Sequence, residues 1–297
     1  MNQLVDKQYW EQTHQTEKAL RDETYQGSDP HQTKPTFLRA VKTRIKSLLG
    51  PKFLTYIRSY EDFFLWEVLY SKYLPGQPGL KVLEIGSAPG DHLVRLQERF
   101  GFEPYGVEYT KIGVDLNREV FLAHEIDPNN VIHDDFLSEE LQQKYEGHFD
   151  VVISHGFIEH FTNPEPIVSK HLNLLRNDGL LVISIPNVRG INYLLGLVFN
   201  REVLPMHNLE IMEARGFARL FENQSVIPLF CGYYGIFNFG LTNTTDNILK
   251  QSALAVLMKF QVMLNVIFRL LFAEKGAENP LTSPALIFIG KKRVESL

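Results

Sequence analysis

The segment Lys81–Gly90, with the sequence Lys-Val-Leu-Glu-Ile-Gly-Ser-Ala-Pro-Gly, limits the possible folds of this chain more than any other feature. It predicts a short apolar strand with the acid Glu84 near its end, then a tight loop and a helix over residues 91–99. Small side chains let a ligand approach the loop backbone, and the helix N-terminus offers oriented N–H groups. These small residues are Gly86, Ser87, Ala88 and Gly90. Because Glu84 would repel a phosphate, the loop favours a ligand that also carries a positive charge.

The loop also argues against two common nucleotide sites. A dinucleotide fingerprint requires G-x-G-x-x-G, and the sequence Gly-Ser-Ala-Pro-Gly-Asp lacks the third glycine. A P-loop requires Gly-Lys followed by Ser or Thr, and this loop has no such sequence. A nicotinamide-dependent enzyme is therefore only a distant alternative.

Acids stand at the ends of the next two predicted strands. The strand over 104–108 ends in Glu108, about two dozen residues after Glu84, where the two oxygens of a carboxylate suit a vicinal diol. The following strand is predicted to end in Asp135 and Phe136. In open α/β sheets ligands bind at the carboxyl ends of the strands. The order and spacing of these residues therefore predict one ligand site.

Two further strands are continuously apolar, which is typical of strands buried on both faces of a parallel sheet. They are predicted over 149–154 and 180–185, and the second begins after the turn Asn177-Asp178-Gly179 and stops at Pro186.

The loop and strand ends together resemble the class I S-adenosylmethionine-dependent methyltransferases, whose motif I reads E/D-x-G-x-G-x-G, with Ala88 in place of the middle glycine. The resemblance covers about residues 80–240 and the last strand. It implies an α/β fold with a Rossmann-like, seven-stranded, mostly parallel sheet, helices on both faces and an antiparallel last strand. It also implies S-adenosyl-L-methionine as cofactor, with Asp135 on the adenine amine and Phe136 on the adenine ring. The cofactor-binding residues that it implies are Glu84, Gly86, Ser87, Ala88, Gly90, Glu108, Asp135, Phe136 and Ser154.

The chain is predicted to divide into an N-terminal helical cap segment over 1–79 and a methyltransferase domain over 80–297. A helical insertion at about 241–283 precedes the last strand. In the cap segment, helices are predicted over 1–21, 36–49 and 60–73.

One stretch of the cap segment, Pro30–Tyr60, contains no acid. Its basic residues are Lys34, Arg39, Lys42, Arg44, Lys46, Lys52 and Arg58. Two interpretations stay open: a solvated helix face, which we favour, or contact with a phosphate, a carboxylate or an anionic membrane.

Composition sets limits on partners and compartment. The net charge of −5 gives no general argument for nucleic acid, so no nucleic-acid partner is expected. Cys231 is the single cysteine and cannot form an internal disulfide. The N-terminal sequence lacks the basic-then-apolar profile of a signal peptide, so we expect a cytoplasmic protein.

The helical part of the insertion, over about 248–273, is heavily apolar, but Lys259, Gln261, Asn265 and Arg269 interrupt it. A membrane-spanning helix needs about 20 apolar residues with few or no charges, so a transmembrane helix is not expected. The helix is predicted either to pack on the N-terminal helices as a cap over the substrate, which we favour, or to lie on a membrane surface.

Candidate catalytic residues follow the fourth predicted strand, in the sequence Ser-His-Gly-Phe-Ile-Glu-His-Phe from Ser154. Methyltransferases that act on nucleobase amines typically have Asn/Asp-Pro-Pro-aromatic at this place, so methylation of DNA bases is not expected. The pair Glu159-His160, with the later sequence His207-Asn208-Leu209-Glu210, is similar to the O-methyltransferases of quinone biosynthesis and to the small-RNA 3′-end methyltransferases.

In that branch, acids and histidines hold a divalent metal ion. The resemblance places its ligands at Glu159, His160 and His207, but Gly156 stands where the first acid would be. One carboxylate with two imidazoles is a poor site for magnesium, so no metal is expected.

A hydroxyl acceptor must lose its proton during methyl transfer, and histidine titrates near neutral pH. We rank His207 first as general base, because it lies in a loop where acceptor pockets form. His155 is second, because it follows the strand beside the cofactor, and His160 is a further candidate.

The sequence thus predicts a methyltransferase that modifies a small-molecule or amphiphilic acceptor, most readily at oxygen. Peripheral membrane contact stays open. The aromatic and glycine-rich run over 225–239 either lines the acceptor pocket or forms core. The alternative function is a methyltransferase-fold domain that has lost catalysis and serves as an interaction subunit, and the intact cofactor residues favour the enzyme.

Overall fold

The structure, a computed structural model, describes residues 2–26, 59–241 and 247–294 of the chain. The helix predicted over 36–49 and nearly all of the acid-free basic stretch lie outside the described residues.

Seven strands form one sheet through the centre of the protein. In chain order they are β1 (Lys81–Ile85), β2 (Glu103–Glu108), β3 (Val131–His133), β4 (Phe149–His155), β5 (Leu175–Pro186), β6 (Val226–Tyr234) and β7 (Ala285–Lys292). Their order in the sheet is β3-β2-β1-β4-β5-β7-β6. The pairs from β3 to β5 are parallel, and β7 is antiparallel to both β5 and β6. The predicted Rossmann-like sheet with an antiparallel last strand is confirmed.

The order of the strands reverses between β1 and β4, and this reversal positions the site. Such a reversal leaves a crevice outside the carboxyl ends of the two strands. In the register of this pair, Ile85 lies opposite Ser154. The loop that follows β1 and the segment that follows β4 therefore begin side by side.

Helices cover both faces of the sheet. In chain order they are α1 (Lys7–Gln26), α2 (60–73), α3 (Asp91–Phe100), α4 (Lys111–Ala123), α5 (Glu139–Lys144), α6 (Glu165–Leu174), α7 (Gly190–Phe199), α8 (Ala214–Glu222) and α9 (Ile248–Leu271). Short 3-10 turns lie at Pro128–Asn130, Ile158–His160, Arg201–Met206, Leu209–Met212 and Phe239–Leu241. Helix α2 is α-helical at its two ends and π-helical over Phe64–Tyr70.

Side chains of the central strands alternate between two apolar cores, one on each face of the sheet. In β4, Val151 and Ile153 belong to the core that α2 and α3 complete, whereas Val152 belongs to the core that α6 and α8 complete. All three are fully buried. This alternation explains why the sequence of β4 is continuously apolar, as predicted.

One strand ends earlier than the sequence predicts. Strand β3 stops at His133, because Oδ1 of Asp135 accepts a hydrogen bond from the backbone N–H of Leu137 and turns the chain. Before α8, a 3-10 turn over Leu209–Met212 begins where Oδ1 of Asn208 accepts a hydrogen bond from the backbone N–H of Glu210.

Helix α9, the helix of the insertion, packs on α2. The backbone N–H of Tyr60 donates to Oδ1 of Asn265 at 3.4 Å, and the ring of Phe268 meets that of Tyr60 edge-on. The buried side chains of α9 are Gln261 and Asn265. Among the described helices, α9 is the one long and apolar enough to cross a membrane by length and composition.

Candidate active site

A cavity of about 210 Å³ lies at the carboxyl ends of β1, β2 and β4. The structure brings together in its lining five of the residues that the sequence assigns to cofactor binding: Gly86, Ala88, Glu108, Asp135 and Phe136. The cavity occupies the crevice that the reversal of strand order predicts.

Backbone hydrogen bonds hold the loop after β1 against β2. The N–H groups of Gly86 and Ser87 both donate to the carbonyl of Val107, at 3.0 and 3.3 Å. Gly90 precedes α3 with a φ of 104°, and a Cβ atom there would lie 2.5 Å from Oδ1 of Asn117. Glycine is therefore required at this position by both the backbone conformation and the close contact.

The other predicted cofactor-binding residues lie behind the residues that line this cavity. They are Glu84, Ser87, Gly90 and Ser154. Ser87 Oγ accepts a hydrogen bond from Asn117 Nδ2 at 2.6 Å. Ser154 Oγ lies 3.0 Å from Nε2 of His171, and Glu84 Oε1 lies 3.1 Å from Nδ1 of His92. With Gly90, these residues support the wall, and their contact with the cofactor stays a prediction.

One carboxylate oxygen of Glu108 is occupied by its own loop. Oε1 accepts hydrogen bonds from the N–H and the hydroxyl of Thr110, at 2.8 and 2.7 Å. Oε2 lies 3.9 Å from Nε2 of His14. The carboxylate is thus fixed in orientation and keeps acceptor capacity for a ligand hydroxyl.

Asp135 and Phe136 line the cavity just after the end of β3. Oδ1 of Asp135 accepts from the backbone of Leu137 at 2.8 Å, and the ring of Phe136 meets that of Phe157 edge-on at 5.5 Å. An acid beside an aromatic wall suits a flat heterocycle with an amino group. The sequence analysis missed two lining residues, Tyr109 and Asp134. Each directly adjoins a predicted residue at the end of a strand, and this position was the sequence signal that could have identified it.

The N-terminal segment covers the cavity. Its lining residues are Gln3, Val5, Trp10 and His14. The N–H of Leu4 donates to the carbonyl of His160 at 2.8 Å, and the ring of Trp10 lies edge-on to that of His160 at 5.2 Å. The one sequence signal for this role is an aromatic pair, Tyr9 and Trp10, in an otherwise polar helix.

A second cavity, of about 490 Å³, adjoins the first. Helix α7 supplies Asn192 and Gly196 to its lining, and Asn200 directly follows the helix. Both cavities are lined by Trp10, His155, Gly156 and His160. They therefore meet along the segment that follows β4.

The three histidines that the sequence proposes as bases all line this second cavity. The rings of His160 and His207 are 4.9 Å apart. Nδ1 of His160 lies 2.8 Å from the carbonyl of Met206, and Nδ1 of His207 lies 2.7 Å from that of Val203. A carbonyl only accepts, so Nδ1 carries the proton in each ring and Nε2 carries a lone pair when the ring is neutral.

Burial keeps this group of side chains uncharged. It raises the pKa of Glu159 to about 8, lowers the pKa of His160 to about 4, and lowers the pKa of His207. Both carboxylate oxygens of Glu159 are buried without a hydrogen-bond partner among the described residues. Near neutral pH, Glu159 is therefore mostly protonated and both imidazoles are neutral.

Glu159, His160 and His207 could hold a metal ion, because one ligand atom of each lies within 4.8 Å of the others. One carboxylate and two imidazoles suit a transition-metal ion better than magnesium, which prefers oxygen ligands. A Cβ atom on Gly156 would lie 3.4 Å from Oε1 of Glu159, so the acid that this chain lacks would stand beside the cluster.

His155 belongs to a separate, partly buried network. Its Nε2 lies 2.9 Å from the hydroxyl of Tyr70, which lies 3.3 Å from Nε2 of His92. Burial first, and then the neighbouring His92, lower the pKa of His155 well below its usual value. The sequence analysis did not identify Tyr70 or His92, because only the tertiary packing of α2 on α3 brings them to β4.

A family model described as a methyltransferase domain matches residues 58–224, which is more than half of the chain. The chain belongs to this methyltransferase family. S-adenosylmethionine is the cofactor of the family, so the predicted family, fold and cofactor are confirmed. A comparison with curated protein sequences gives no match.

Solved structures resemble the methyltransferase in fold at low sequence identity. The [4+2]-cyclase SpnF is 11% identical with a TM-score of 0.52, over 77% of this chain and 80% of its own. Phosphoethanolamine N-methyltransferase 2 from Haemonchus contortus, in complex with S-adenosyl-L-methionine, is 13% identical with a TM-score of 0.50, over 80% of this chain and 57% of its own. A SAM-dependent methyltransferase from Archaeoglobus fulgidus is 19% identical with a TM-score of 0.49, over 82% of this chain and all of its own.

The aromatic and glycine-rich run of the methyltransferase divides between pocket and core. Tyr234 lines the second cavity, with its hydroxyl 2.9 Å from Ser184 Oγ. Phe237 instead stacks on Phe268 of α9 at 5.8 Å. The run therefore contributes Tyr234 to the second cavity and Phe237 to apolar packing, and a role in acceptor binding stays a prediction.

Proposed function

We propose that the methyltransferase transfers a methyl group to a hydroxyl of a small-molecule or lipid-like acceptor, with a histidine as general base. The observation that carries the proposal is the junction of the two cavities, where Gly156 lies between His155 and His160 and lines both. Methyl transfer is an in-line displacement, so donor and acceptor must meet end to end with water excluded. Two cavities with a common boundary meet this requirement.

The residues of the smaller cavity fit the cofactor of the family. Glu108 has acceptor capacity for the ribose hydroxyls, Asp135 for the adenine amine, and Phe136 offers an apolar surface for the ring. When bound, S-adenosylmethionine supplies a methyl group activated on a sulfonium. The larger cavity, on the other side of Gly156, then receives the acceptor.

Among the three histidines, His207 is the strongest candidate for the base. Its Nδ1–H is held by Val203, so Nε2 is the atom that can take a proton from an acceptor hydroxyl. His155 ranks second, because its Nε2 is already in contact with Tyr70. His160 is a further candidate. Burial lowers its pKa to about 4 and also lowers the pKa of His155 well below its usual value, so both accept a hydroxyl proton less readily.

The first experiment is calorimetric titration with S-adenosylmethionine, S-adenosylhomocysteine and NAD. We expect micromolar binding of the first two and none of NAD, with at least about tenfold weaker binding in Glu108→Ala, which loses the acceptor for the ribose. Glu103→Ala is the matched control, because Glu103 begins β2 and Glu108 ends it. The control should bind like the wild type.

A second step tests the chemistry. Incubation with methyl-labelled S-adenosylmethionine and extracts of the source cells should transfer label to an alkali-stable ether. His207→Asn should bind the cofactor normally and lose this transfer. Cofactor binding without transfer to any fraction would instead support the alternative function, a non-catalytic interaction subunit. Failure of both sulfur nucleotides to bind would refute the methyltransferase proposal.

A further inference from the structure

Helix α9 carries its apolar side chains on the outside of the protein. Half of the exposed large apolar side chains among the described residues belong to this helix. Ile248 and Leu249 are 76% and 81% exposed, and Leu270 and Leu271 are 68% and 70% exposed. A surface helix of a water-soluble protein normally has the opposite arrangement, with its polar side in water.

The polar side of α9 is the side that the protein buries. Gln261 Nε2 donates to the carbonyl of Phe237 and to Oδ1 of Asn265, each at 2.8 Å, and Gln261 Oε1 accepts from the N–H of Phe239 at 3.2 Å. These bonds fix the rotation of the helix about its axis. Turning the apolar side inward would break them, and a buried amide without partners costs about 1–3 kcal/mol.

The charges of α9 suit an anionic surface. The helix contains Lys250, Lys259 and Arg269 and no acid, although the whole chain has a net charge of −5. The guanidinium of Arg269 lies 3.5 Å from the centre of the Phe63 ring of α2, so Lys250 and Lys259 are the cations available to a surface outside the protein. Cations beside exposed apolar residues match the headgroups and acyl boundary of a bilayer. A second copy of α9 would bring only like charges against these cations, so charge complementarity favours a lipid surface over self-association.

The exposed apolar surface extends to the acceptor cavity. Leu241 lines the larger cavity and is also exposed, and α9 packs on its 3-10 turn through the bond between Gln261 and Phe239. In α7, Asn192 lines the same cavity, whereas Leu194 is 60% exposed. The 3-10 turn that ends at Leu241 and helix α7 therefore contribute both to the exposed apolar surface and to the lining of the larger cavity.

We propose that the outward side of α9 docks on a lipid bilayer, with the helix axis along the membrane surface, and that the methyl acceptor is an amphiphile held in that bilayer. The lipid face consists of Ile248, Leu249, Val256, Val262, Leu270 and Leu271. The helix lies along the surface because its opposite side is bonded to the body of the protein. The statement about the acceptor rests on the proposed function, whereas the docking of α9 does not.

Flotation of the full chain with vesicles tests the docking. The wild type should float with vesicles of phosphatidylcholine mixed with phosphatidylglycerol, less with phosphatidylcholine alone, and less as salt increases. The double variant Val256→Gln with Leu270→Gln should partition about tenfold less, because two apolar side chains no longer insert. Leu122→Gln, at a 62% exposed leucine of α4, is the control and should float like the wild type.

Three outcomes overturn the docking. The first is that the wild type floats with neither type of vesicle, and the second is that the double variant floats like the wild type. The third is that light scattering shows a dimer of the wild type that is absent in the double variant. Calorimetry with S-adenosylmethionine on the same preparations separates this inference from the proposed function. Cofactor binding without flotation refutes the docking alone, whereas flotation without cofactor binding refutes the proposed function alone. Label that enters only the water-soluble fraction of the cell extract refutes a bilayer-held acceptor.

Discussion

The hydroxyl of Tyr70 lies 2.9 Å from Nε2 of His155 and links this histidine to His92, 3.3 Å away. His92 in turn lies 3.1 Å from Glu84, out of line for a hydrogen bond. Glu84, the acid of β1, thus lies in one group of side chains with His92, Tyr70 and His155, a histidine on the boundary of the two cavities. Because Tyr70 is fully buried, its hydroxyl is the element that orients the ring of His155.

Replacing Tyr70 by Phe should destabilise the protein. The substitution keeps the ring in its core and removes the hydrogen-bond partner of Nε2 of the half-buried His155, which costs about 0.5–1.5 kcal/mol. Urea denaturation measures the change. Tyr193→Phe, at an exposed tyrosine of α7, should change the free energy of unfolding by less than about 0.5 kcal/mol. Equal effects of the two substitutions would contradict the role assigned to the Tyr70 hydroxyl.

Stability should decrease as the solution is acidified, and His171 should contribute to this decrease. Burial lowers its pKa from 6.5 to about 4, with Nδ1 held by the carbonyl of Ile167. The unfolded chain therefore binds this proton at higher pH than the folded chain. The contribution is fully present above pH 6.5 and is lost as the pH falls to about 4, by on the order of 3 kcal/mol.

The variant His171→Gln isolates this contribution. Between pH 6.5 and pH 4, its free energy of unfolding should depend less on pH than that of the wild type. His124→Gln, at an exposed histidine after α4, should retain the wild-type dependence. A wild-type dependence in His171→Gln would show that His171 is not a buried neutral group.

The sequence predicted the sheet and five cavity residues because these depend on local patterns. Gly86 and Ala88 belong to a small-residue loop, and Glu108 and Asp135 stand at strand ends, where any parallel sheet presents side chains to a ligand. The same patterns could not show that Ser87 and Ser154 lie behind the cavity wall and are not part of its lining. Their orientation depends on Asn117 and His171, which reach them from other helices.

Helix α9 shows why the remaining features escaped prediction. Its apolar composition is visible in the sequence, but the burial of Gln261 depends on Phe237 and Phe239, more than twenty residues earlier in the chain. The orientation of an amphipathic helix follows from its partners as well as from its own periodicity.

Introducing the missing acid should create a magnesium site. In the wild type, Mg²⁺ should leave the melting temperature unchanged, because the cluster of Glu159, His160 and His207 has one carboxylate. Gly156→Asp adds a second carboxylate beside Glu159, and aspartate tolerates the φ of 62° at this position better than most residues. At roughly ten times the dissociation constant, Mg²⁺ should raise the melting temperature of this variant by about 3 °C.

The control for this prediction is Gly156→Asn, which has nearly the same shape and no charge. It should respond to Mg²⁺ as the wild type does. An Mg²⁺-dependent increase in the wild type would contradict the prediction and would show that two imidazoles and one carboxylate suffice for this ion.

The N-terminal helix should contribute to cofactor affinity through Trp10, which lines both cavities and meets His160 edge-on at 5.2 Å. Trp10→Ala removes this cover and exposes the cavity to water. It should weaken the binding of S-adenosylmethionine about tenfold, mainly through faster dissociation, because the loop after β1 is unchanged. Calorimetry and stopped-flow measurements report the two quantities. Leu20→Ala, at an exposed position of the same helix, should bind like the wild type, and equal weakening in both variants would indicate general loosening of α1 instead of a local cover.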